Sequence, residues 1–326
     1  MDSKFSIAGG AIDVRRRALT LGLAAGGLVS VWGTSPARAA ENASFSNSSG
    51  SENASLKAPA MACDSDIHIY DDRFPIANAN ATLPRDATVE DYRKIQSRLG
   101  TTRTVIVQPA NYGTDNRVTL DAISKLGADK TRGIAVISPD VSEEELLALH
   151  RGGIRGVRFS LFEPENAVTR PDMIEPVARR IRELGWHVQL QMRSDLIVQN
   201  AEMLKRLPCP VVFDHMARLP QTESGRDAYA VVREMLGKGH TWVKISAAYL
   251  NTKVGPPNYE DATKMARSYI DAAPERVVWG SDWPHPTEKV RKPDDAKLLD
   301  LLASWAPDVA TQHRILVDNP AVLYGF

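Results

Sequence analysis

Residues 102–138 read T-R-T-V-I-V-Q-P-A-N-Y-G-T-D-N-R-V-T-L-D-A-I-S-K-L-G-A-D-K-T-R-G-I-A-V-I-S. The runs V-I-V at 105–107 and I-A-V-I at 134–137 are short and almost continuously apolar, which is typical of parallel strands buried on both faces. Between them, residues 115–126 space apolar side chains three and four positions apart, as an amphipathic helix does. The stretch therefore predicts a strand, a helix and a second parallel strand.

The same unit repeats from residue 61 to the end of the sequence. Strands are predicted at Met61–Ile69, Thr102–Pro109, Arg132–Ser138, Ile154–Leu161, His187–Met192, Pro210–His215, Trp242–Tyr249 and Val277–Asp282. Helices are predicted at Val89–Leu99, Asp115–Leu126, Ser142–His150, Asp172–Leu184, Leu196–Leu207, Gly225–Leu236, Tyr259–Ala273, Pro293–Trp305 and Val309–Val317. Eight β/α units predict an α/β fold, the TIM (β/α)8 barrel. A doubly wound sheet is disfavoured, because no Gly-rich phosphate loop follows the first strand.

Composition excludes several classes of protein. The chain has 326 residues with 40 basic and 40 acidic side chains, and 43% of its residues are hydrophobic. Disordered chains have fewer apolar residues and more net charge, and a nucleic-acid-binding protein needs a basic excess that this sequence lacks. The two cysteines, Cys63 and Cys209, form no disulfide framework and match no zinc spacing.

The first 60 residues differ in character from the rest. Arg15–Arg17 precede an apolar stretch, Ala18–Trp32, and A-R-A at 37–39 offers small residues for a cleavage site. This pattern predicts a cleavable twin-arginine-type signal at 1–39, hence the twin-arginine export machinery as a partner and a periplasmic location. The apolar stretch is too short for a stable membrane span. Residues 40–60 are rich in Ser, Asn and Ala and predict a disordered linker, which leaves 61–326 as a single barrel domain.

Polar side chains gather at the predicted carboxyl ends of the strands, where barrels place their catalytic groups. Asp66 and His68 are two residues apart on the first strand and so face the same side. His215 and Asp282 end two other strands. A partly desolvated carboxylate among histidines predicts a general base acting on water. Arg158, on the fourth strand, would bind a carboxylate or stabilise an oxyanion.

Further candidates for substrate binding lie at the same end of the barrel. They are Asn111 and Tyr112 after the second strand, Gln191 on the fifth and Tyr249 on the seventh, together with Asp66. Each could instead play a structural role, as loop-shaping or hydrogen-bonded polar groups.

Several motifs together resemble one known family. They are C-D-S-D-I-H-I-Y-D-D-R-F-P (63–75), V-I-V-Q-P-A-N-Y-G-T-D-N (105–116), R-G-V-R-F-S (155–160), F-D-H-M (213–216) and W-G-S-D-W-P-H (279–285). The chain resembles the amidohydrolase-related family, and within it the lactonase branch of 2-pyrone-4,6-dicarboxylate and 4-sulfomuconolactone hydrolases. The resemblance implies a distorted TIM barrel that opens a small anionic lactone of the muconolactone or pyrone type, in aromatic-compound catabolism. It also implies that Asp282 activates water, that His68 and His215 assist, and that no metal is needed.

The sequence departs from the family pattern at four positions. Asp66 stands where the family has the first histidine of its strand-one motif, and Gln191 stands where it has a tyrosine. Pro164 and Leu250 align with arginines that bind anions in the dicarboxylate hydrolases. The resemblance therefore implies a lactone with fewer or differently placed acidic groups than pyrone dicarboxylate.

Two alternative functions remain at this stage. Asp66, His68, His215 and Asp282 are enough ligands for one zinc ion, which would give a mononuclear zinc amidohydrolase or decarboxylase. The metal-free prediction is favoured because no His or Lys ends the fifth strand, as the metal-dependent relatives require. The other alternative is a non-catalytic periplasmic binding barrel.

Overall fold

The computed structural model of the protein describes residues 44–77, 82–163, 168–220 and 222–326. The predicted signal at 1–39 lies outside these residues, and so does Pro164. Within the described residues the chain forms a barrel of parallel strands surrounded by helices, as the sequence predicts.

The barrel wall is a sheet of parallel strands in sequence order. The strands are β1 (Cys63–Ile67), β2 (Arg103–Val107), β3 (Thr131–Ala135), β4 (Ile154–Leu161), β5 (His187–Met192), β6 (Val211–Phe213), β7 (Thr241–Ser246) and β8 (Val277–Gly280). The sheet closes through a single parallel bridge between Ile67 and Trp283, so the seam between β8 and β1 is its weakest pairing. The predicted TIM barrel is confirmed.

Helices cover the outside of the strands. They are α1 (Val89–Leu99), α2 (Arg117–Leu126), α3 (Glu143–Arg151), α4 (Ile174–Ile181), α5 (Ser194–Gln199), α6 (Ala201–Lys205), α7 (Glu223–Gly237), α8 (Glu260–Ala272), α9 (Asp295–Trp305), α10 (Val309–His313) and α11 (Asn319–Tyr324). A turn of π-helix at Arg314–Asp318 joins the last two. Among the described residues, no helix combines the length and the apolar character needed to cross a membrane.

The structure differs from the predicted elements mainly at the carboxyl ends of the strands. The predicted β6 and β8 extend to His215 and Asp282, whereas the observed strands end at Phe213 and Gly280. His215 and Asp282 have φ of +52° and +65°, which a strand cannot accommodate. The predicted helix Leu196–Leu207 is divided at Asn200 into α5 and α6.

Apolar side chains fill both sides of the barrel wall. A large cluster packs the strands against the helices and includes the fully buried Trp186, Phe159 and Phe213. A smaller cluster includes Cys63, Val105 and residues of four other strands. Cys63 and Cys209 are buried free thiols, as expected for small core residues, and burial raises the pKa of Cys209 to about 11.

Residues 44–60 are bound to the barrel, which differs from the disordered linker that their composition predicts. Arg98 of α1 is the anchor: its Nε donates to the carbonyl of Glu52 at 2.8 Å, and its Nη1 donates to Ser48 Oγ at 2.9 Å. Its Nη2 bonds Asp294, which caps α9, at 2.6 Å. Composition missed this segment because it is rich in Ser and Asn and has no apolar periodicity, whereas its few apolar side chains, such as Phe45 and Leu56, pack against the core.

We predict that Arg98→Met lowers the free energy of unfolding by about 3 kcal/mol, because it leaves Asp294 and several carbonyls without their buried partner. Urea unfolding followed by circular dichroism measures this difference. Lys94→Met is the matched control, since Lys94 lies on the same helix and makes only an exposed pair with Asp91. Equal stability of the two variants would contradict the anchoring role.

Candidate active site

A cavity of about 320 Å³ opens at the carboxyl ends of the strands. Its size suits a small organic molecule. Six of the predicted site residues line it, namely His68, Asn111, Arg158, Gln191, His215 and Asp282. The structure thus brings side chains from β4, β5 and the segments after β1, β2, β6 and β8 to one place.

The seam of the barrel positions Asp282. The backbone N–H of Asp282 donates to the carbonyl of Asp66 at 2.8 Å, and the N–H of His68 donates to the carbonyl of Trp283 at 2.8 Å. Gly280 permits this approach, because a Cβ at that position would lie 2.4 Å from the Cβ of Asp66. Asp282, which follows the weakly paired β8, is therefore held at a fixed position beside β1.

Asp282 is a buried carboxylate that is kept ionised by its neighbours. Burial alone would raise its pKa, but His215, His68 and a hydrogen bond from Tyr249 outweigh burial and hold the pKa below the usual aspartate value. Asp282 Oδ1 lies 3.2 Å from His68 Nε2 and 3.8 Å from His215 Nε2, while Oδ2 accepts from the Tyr249 hydroxyl.

Hydrogen bonding shows which ring nitrogen of His68 carries a hydrogen. Its Nδ1 lies 2.9 Å from the carbonyl oxygen of Val107, which can only accept, so Nδ1 donates. Its Nε2 faces the ionised Asp282, which also can only accept. His68 therefore donates from Nδ1 and turns Nε2 toward Asp282 and the cavity.

His215 is oriented by a chain of hydrogen bonds that runs down into the barrel. Ser246 Oγ donates its hydrogen to Asp66 Oδ2 at 3.1 Å, so Ser246 Oγ accepts a hydrogen bond from His215 Nδ1 at 2.9 Å. This arrangement puts the hydrogen on Nδ1 and turns Nε2 toward Asp282 and the cavity.

The turn after β6 aims two side chains at the cavity. His215, Met216, Ala217 and Arg218 all have left-handed backbones, with φ between 48° and 61°. Such a conformation costs about 1 kcal/mol or more for each residue that is not glycine. The strain is held by the surrounding structure, and its result is that His215 and Arg218 both line the cavity.

Arg158 forms a buried ion pair with Asp214 at the site. Its Nε donates to Asp214 Oδ2 at 3.0 Å, and both side chains are buried. Burial disfavours the charged form of Arg158, but Asp214, Asp66 and Asp282 outweigh burial and raise its pKa. The guanidinium is thus a permanent cation in the cavity wall, which suits it to bind an anionic substrate group.

A second chain of hydrogen bonds supports Asp282 from the side of β8. His285 Nδ1 lies 3.1 Å from the Tyr249 hydroxyl, and His285 Nε2 lies 3.2 Å from Asp295 at the start of α9. Tyr249 has one proton and gives it to Asp282, so it accepts from His285. His285 and Asp295 are fully buried and fix the direction in which Tyr249 donates.

Arg218 is a cavity residue that the sequence analysis missed. Its guanidinium carbon lies 3.5 Å from the centre of the Phe162 ring. Among the described residues, no carboxylate lies within ion-pair distance of it. Burial lowers its pKa from the usual arginine value. The signal available in the sequence was its place three residues after His215, in the loop that follows β6.

Three predicted site residues lie outside the cavity wall. Asp66 is fully buried beneath His215, and Tyr249 acts on Asp282 rather than on the open space. The Tyr112 hydroxyl is bonded to the backbone of Asp71, donating to its carbonyl at 3.0 Å and accepting from its N–H at 2.8 Å. Substrate contact through Asp66 and Tyr112 is therefore not supported, because His215 covers Asp66 and the Tyr112 hydroxyl is already hydrogen-bonded to Asp71.

One group of residues in the described part of the chain could hold a metal ion. Asp66, His68 and Asp282 are buried, and a ligand atom from each lies within 4.8 Å of the others. Three protein ligands are what a catalytic zinc site uses. The charge beneath them argues against a divalent cation, because Lys244 Nζ lies 3.5 Å from Asp66 Oδ1 with both side chains fully buried.

Comparison with known proteins identifies the family to which the chain belongs. The sequence model of the amidohydrolase family matches residues 62–326. The 2-pyrone-4,6-dicarboxylate hydrolase of Comamonas testosteroni is 35% identical over 281 residues, which cover 82% of this chain and 92% of that protein. The 4-sulfomuconolactone hydrolase of Rhizobium radiobacter is 35% identical and covers 83% of this chain and 92% of that protein.

A relative with a different named reaction also matches. The D-galactarolactone isomerase of Agrobacterium fabrum is 29% identical over 271 residues, covering 82% of this chain and 91% of that protein. All three relatives are named for lactone or pyrone substrates. Because the family's sequence model spans the whole barrel and two relatives exceed 30% identity over most of the chain, this protein belongs to the amidohydrolase family.

Proposed function

We propose that this protein is a lactone hydrolase in which Asp282 activates the attacking water. The observation that carries the proposal is the ionised, buried Asp282 in the cavity, contacted by His68 and Tyr249 and faced by His215. Relatives that exceed 30% identity are hydrolases named for small anionic pyrone or lactone substrates, and this supports the reaction class.

The proposed reaction begins with proton transfer from water to Asp282 Oδ1, the oxygen not bonded to Tyr249. The hydroxide formed attacks the lactone carbonyl, and the carbonyl electrons move to oxygen. The tetrahedral intermediate then breaks its ring C–O bond, and the proton held by Asp282 passes to the departing oxygen. The products are a carboxylic acid and a hydroxyl on one opened chain, which balances one lactone and one water. The acid then loses its proton to solvent and becomes a carboxylate.

In this mechanism, stabilisation of the oxyanion is the main source of transition-state stabilisation. A carboxylate with a depressed pKa is a weak base, so the developing negative charge must be met by preorganised donors. The His68 ring and the Arg158 guanidinium line the same cavity and are held by Val107 and Asp214 before substrate arrives. Donors fixed in this way cost no reorganisation during the reaction.

Two arginines favour an anionic lactone. Arg158 and Arg218 both line the cavity, and Asn111 and Gln191 add neutral hydrogen-bonding groups. Leu250 also lines it, where the dicarboxylate hydrolases are expected to have an arginine. The cavity therefore suits a lactone with one acidic substituent, such as a muconolactone, better than pyrone dicarboxylate, and this supports a role in aromatic-compound catabolism.

The reaction proposed here needs no metal ion. A divalent cation beside Asp66 is electrostatically disfavoured, because the Lys244 side chain already faces that carboxylate. A non-catalytic binding barrel is disfavoured by the same geometry, since a binding site has no use for a general base held ionised by three neighbours.

We also propose export to the periplasm through the twin-arginine route. The support is the sequence pattern of Arg15–Arg17 followed by a short apolar stretch and A-R-A at 37–39. That route carries folded proteins, which is compatible with two buried free thiols, Cys63 and Cys209.

We predict that Asp282→Asn lowers kcat by about 1000-fold or more on any lactone that the native protein hydrolyses, because the amide cannot take a proton from water. Substrate affinity, measured by calorimetry, should change only a few-fold. The assay is acid release from a panel that includes 4-sulfomuconolactone and sugar lactones. Asp172→Asn, in an exposed pair with Arg170, is the control. Full turnover by Asp282→Asn would overturn the proposed role.

Tyr249→Phe should move the acid limb of the kcat/KM profile to higher pH by about one unit. The tyrosine donates to Asp282, so its removal raises the pKa of that carboxyl and narrows the range in which the base is ionised. The control is Tyr112→Phe, which removes a buried hydroxyl bonded to Asp71 only. The same acid limb in native protein and Tyr249→Phe would show that Tyr249 does not tune the base.

Arg218→Met should raise KM for an anionic lactone about tenfold and leave kcat within a few-fold, because a charged hydrogen bond to the substrate is lost. The effect should vanish for a neutral lactone of similar size. Arg226→Met, at an exposed position on α7, is the control. If KM rises equally for neutral and anionic lactones, the arginine shapes the cavity and does not bind the anion.

A further inference from the structure

Lys244 is a buried lysine that the proposed reaction does not use. It lies on β7, where residues 241–246 are all buried, and its side chain is fully inaccessible to solvent. Ser246, two residues along, bonds His215 and Asp66, so Lys244 faces the barrel interior one layer below the cavity. A buried lysine is costly unless it compensates negative charge.

The partners of Lys244 are the carboxylates that lie under the cavity. Its Nζ is 3.5 Å from Asp66 Oδ1 and 3.7 Å from Asp214 Oδ1, and all three side chains are fully buried. These contacts are ion pairs without close hydrogen bonds, since Nζ and both carboxylate oxygens have no hydrogen-bond partner among the described residues. Lys244 therefore acts through its charge.

Two neighbouring groups respond to that charge. Burial and the Lys244 charge lower the pKa of His187 to about 3, so His187 is neutral at ordinary pH. Burial opposes ionisation of Asp214, but Arg158 and Lys244 outweigh it and lower the pKa of Asp214. The carboxylates in contact with Lys244 are Asp66 of β1 and Asp214, which follows β6.

Lys244 lies directly against one carboxylate that a metal ion in this site would have to share. Its Nζ is 3.5 Å from Asp66 Oδ1, and Asp66, His68 and Asp282 each place a ligand atom within 4.8 Å of the others. A divalent cation on these three residues would therefore face the Lys244 ammonium across Asp66, in buried surroundings that screen repulsion poorly. A neutral side chain at position 244 would remove that repulsion.

We propose that Lys244 takes the electrostatic place of a divalent metal ion in this site, and that removing its charge turns Asp66, His68 and Asp282 into a zinc site. Lys244 is a positioning residue in this role, because it reaches the substrate only through Asp66 and Asp214. The inference concerns the proposed active site, but it does not depend on which substrate the site accepts.

The test is zinc binding by purified native protein, Lys244→Met and Lys244→Arg, measured by calorimetry and by metal analysis after dialysis against metal-free buffer. Methionine keeps the length of the stem, and arginine keeps the charge. We expect one zinc per chain in Lys244→Met, with an affinity at least about 100-fold above that of the native protein. Lys244→Arg should resemble the native protein. The added substitution Asp66→Asn in Lys244→Met should abolish the gain.

Several results would overturn the inference. One is stoichiometric zinc in the native protein; another is an equal affinity of native protein and Lys244→Met; a third is a gain that persists after Asp66→Asn. If Lys244→Met does not fold, as judged by circular dichroism, Lys244→Gln replaces it, and the native measurement stands on its own. No substrate is present in any arm, so failure here is distinguishable from failure of the proposed lactone hydrolysis.

Discussion

The burial of negative charge is the constraint on which the site depends. Asp66, Asp214 and Asp282 are almost completely inaccessible to solvent at or beneath the mouth of the barrel. An isolated buried carboxylate would be protonated, so each one must be matched by positive charge or by hydrogen-bond donors. Asp214 forms ion pairs with Arg158 and Lys244. Asp66 accepts a hydrogen bond from Ser246, and Asp282 is contacted by His68 and Tyr249. The bonds to these carboxylates also fix the orientation of the partner side chains.

The fold places these groups by departing from ideal strands where they are needed. The seam between β8 and β1 closes through one bridge, and Asp282 follows it with a left-handed backbone. The turn after β6 stays left-handed for four residues and thereby presents His215 and Arg218. Local strain of this kind persists only when surrounding contacts hold it, and α9, which supplies Asp295, is itself tied to residues 44–60 through Arg98.

The sequence predicted the barrel well, because buried parallel strands and amphipathic helices leave strong periodic signals in V-I-V at 105–107 and in Val89–Leu99. It also predicted that His68, His215 and Asp282 meet, since strand ends converge in a barrel. It could not predict that Tyr112 turns away to bond Asp71, or that Arg218 turns inward, because both depend on loop backbone angles that periodicity does not encode. Residues 44–60 were missed for a similar reason, since the contacts of Arg98 with their carbonyls and with the Ser48 hydroxyl leave no periodic signal in the sequence.

The central claim is that water, activated by Asp282, attacks the lactone carbonyl. The most direct measurement is turnover of an accepted lactone in H₂¹⁸O, with the product analysed by mass spectrometry and its fragments assigned. This account predicts one ¹⁸O atom per product molecule, located in the new carboxylate. A product of unchanged mass, as an isomerase would give, or a label located in the hydroxyl group, would contradict it.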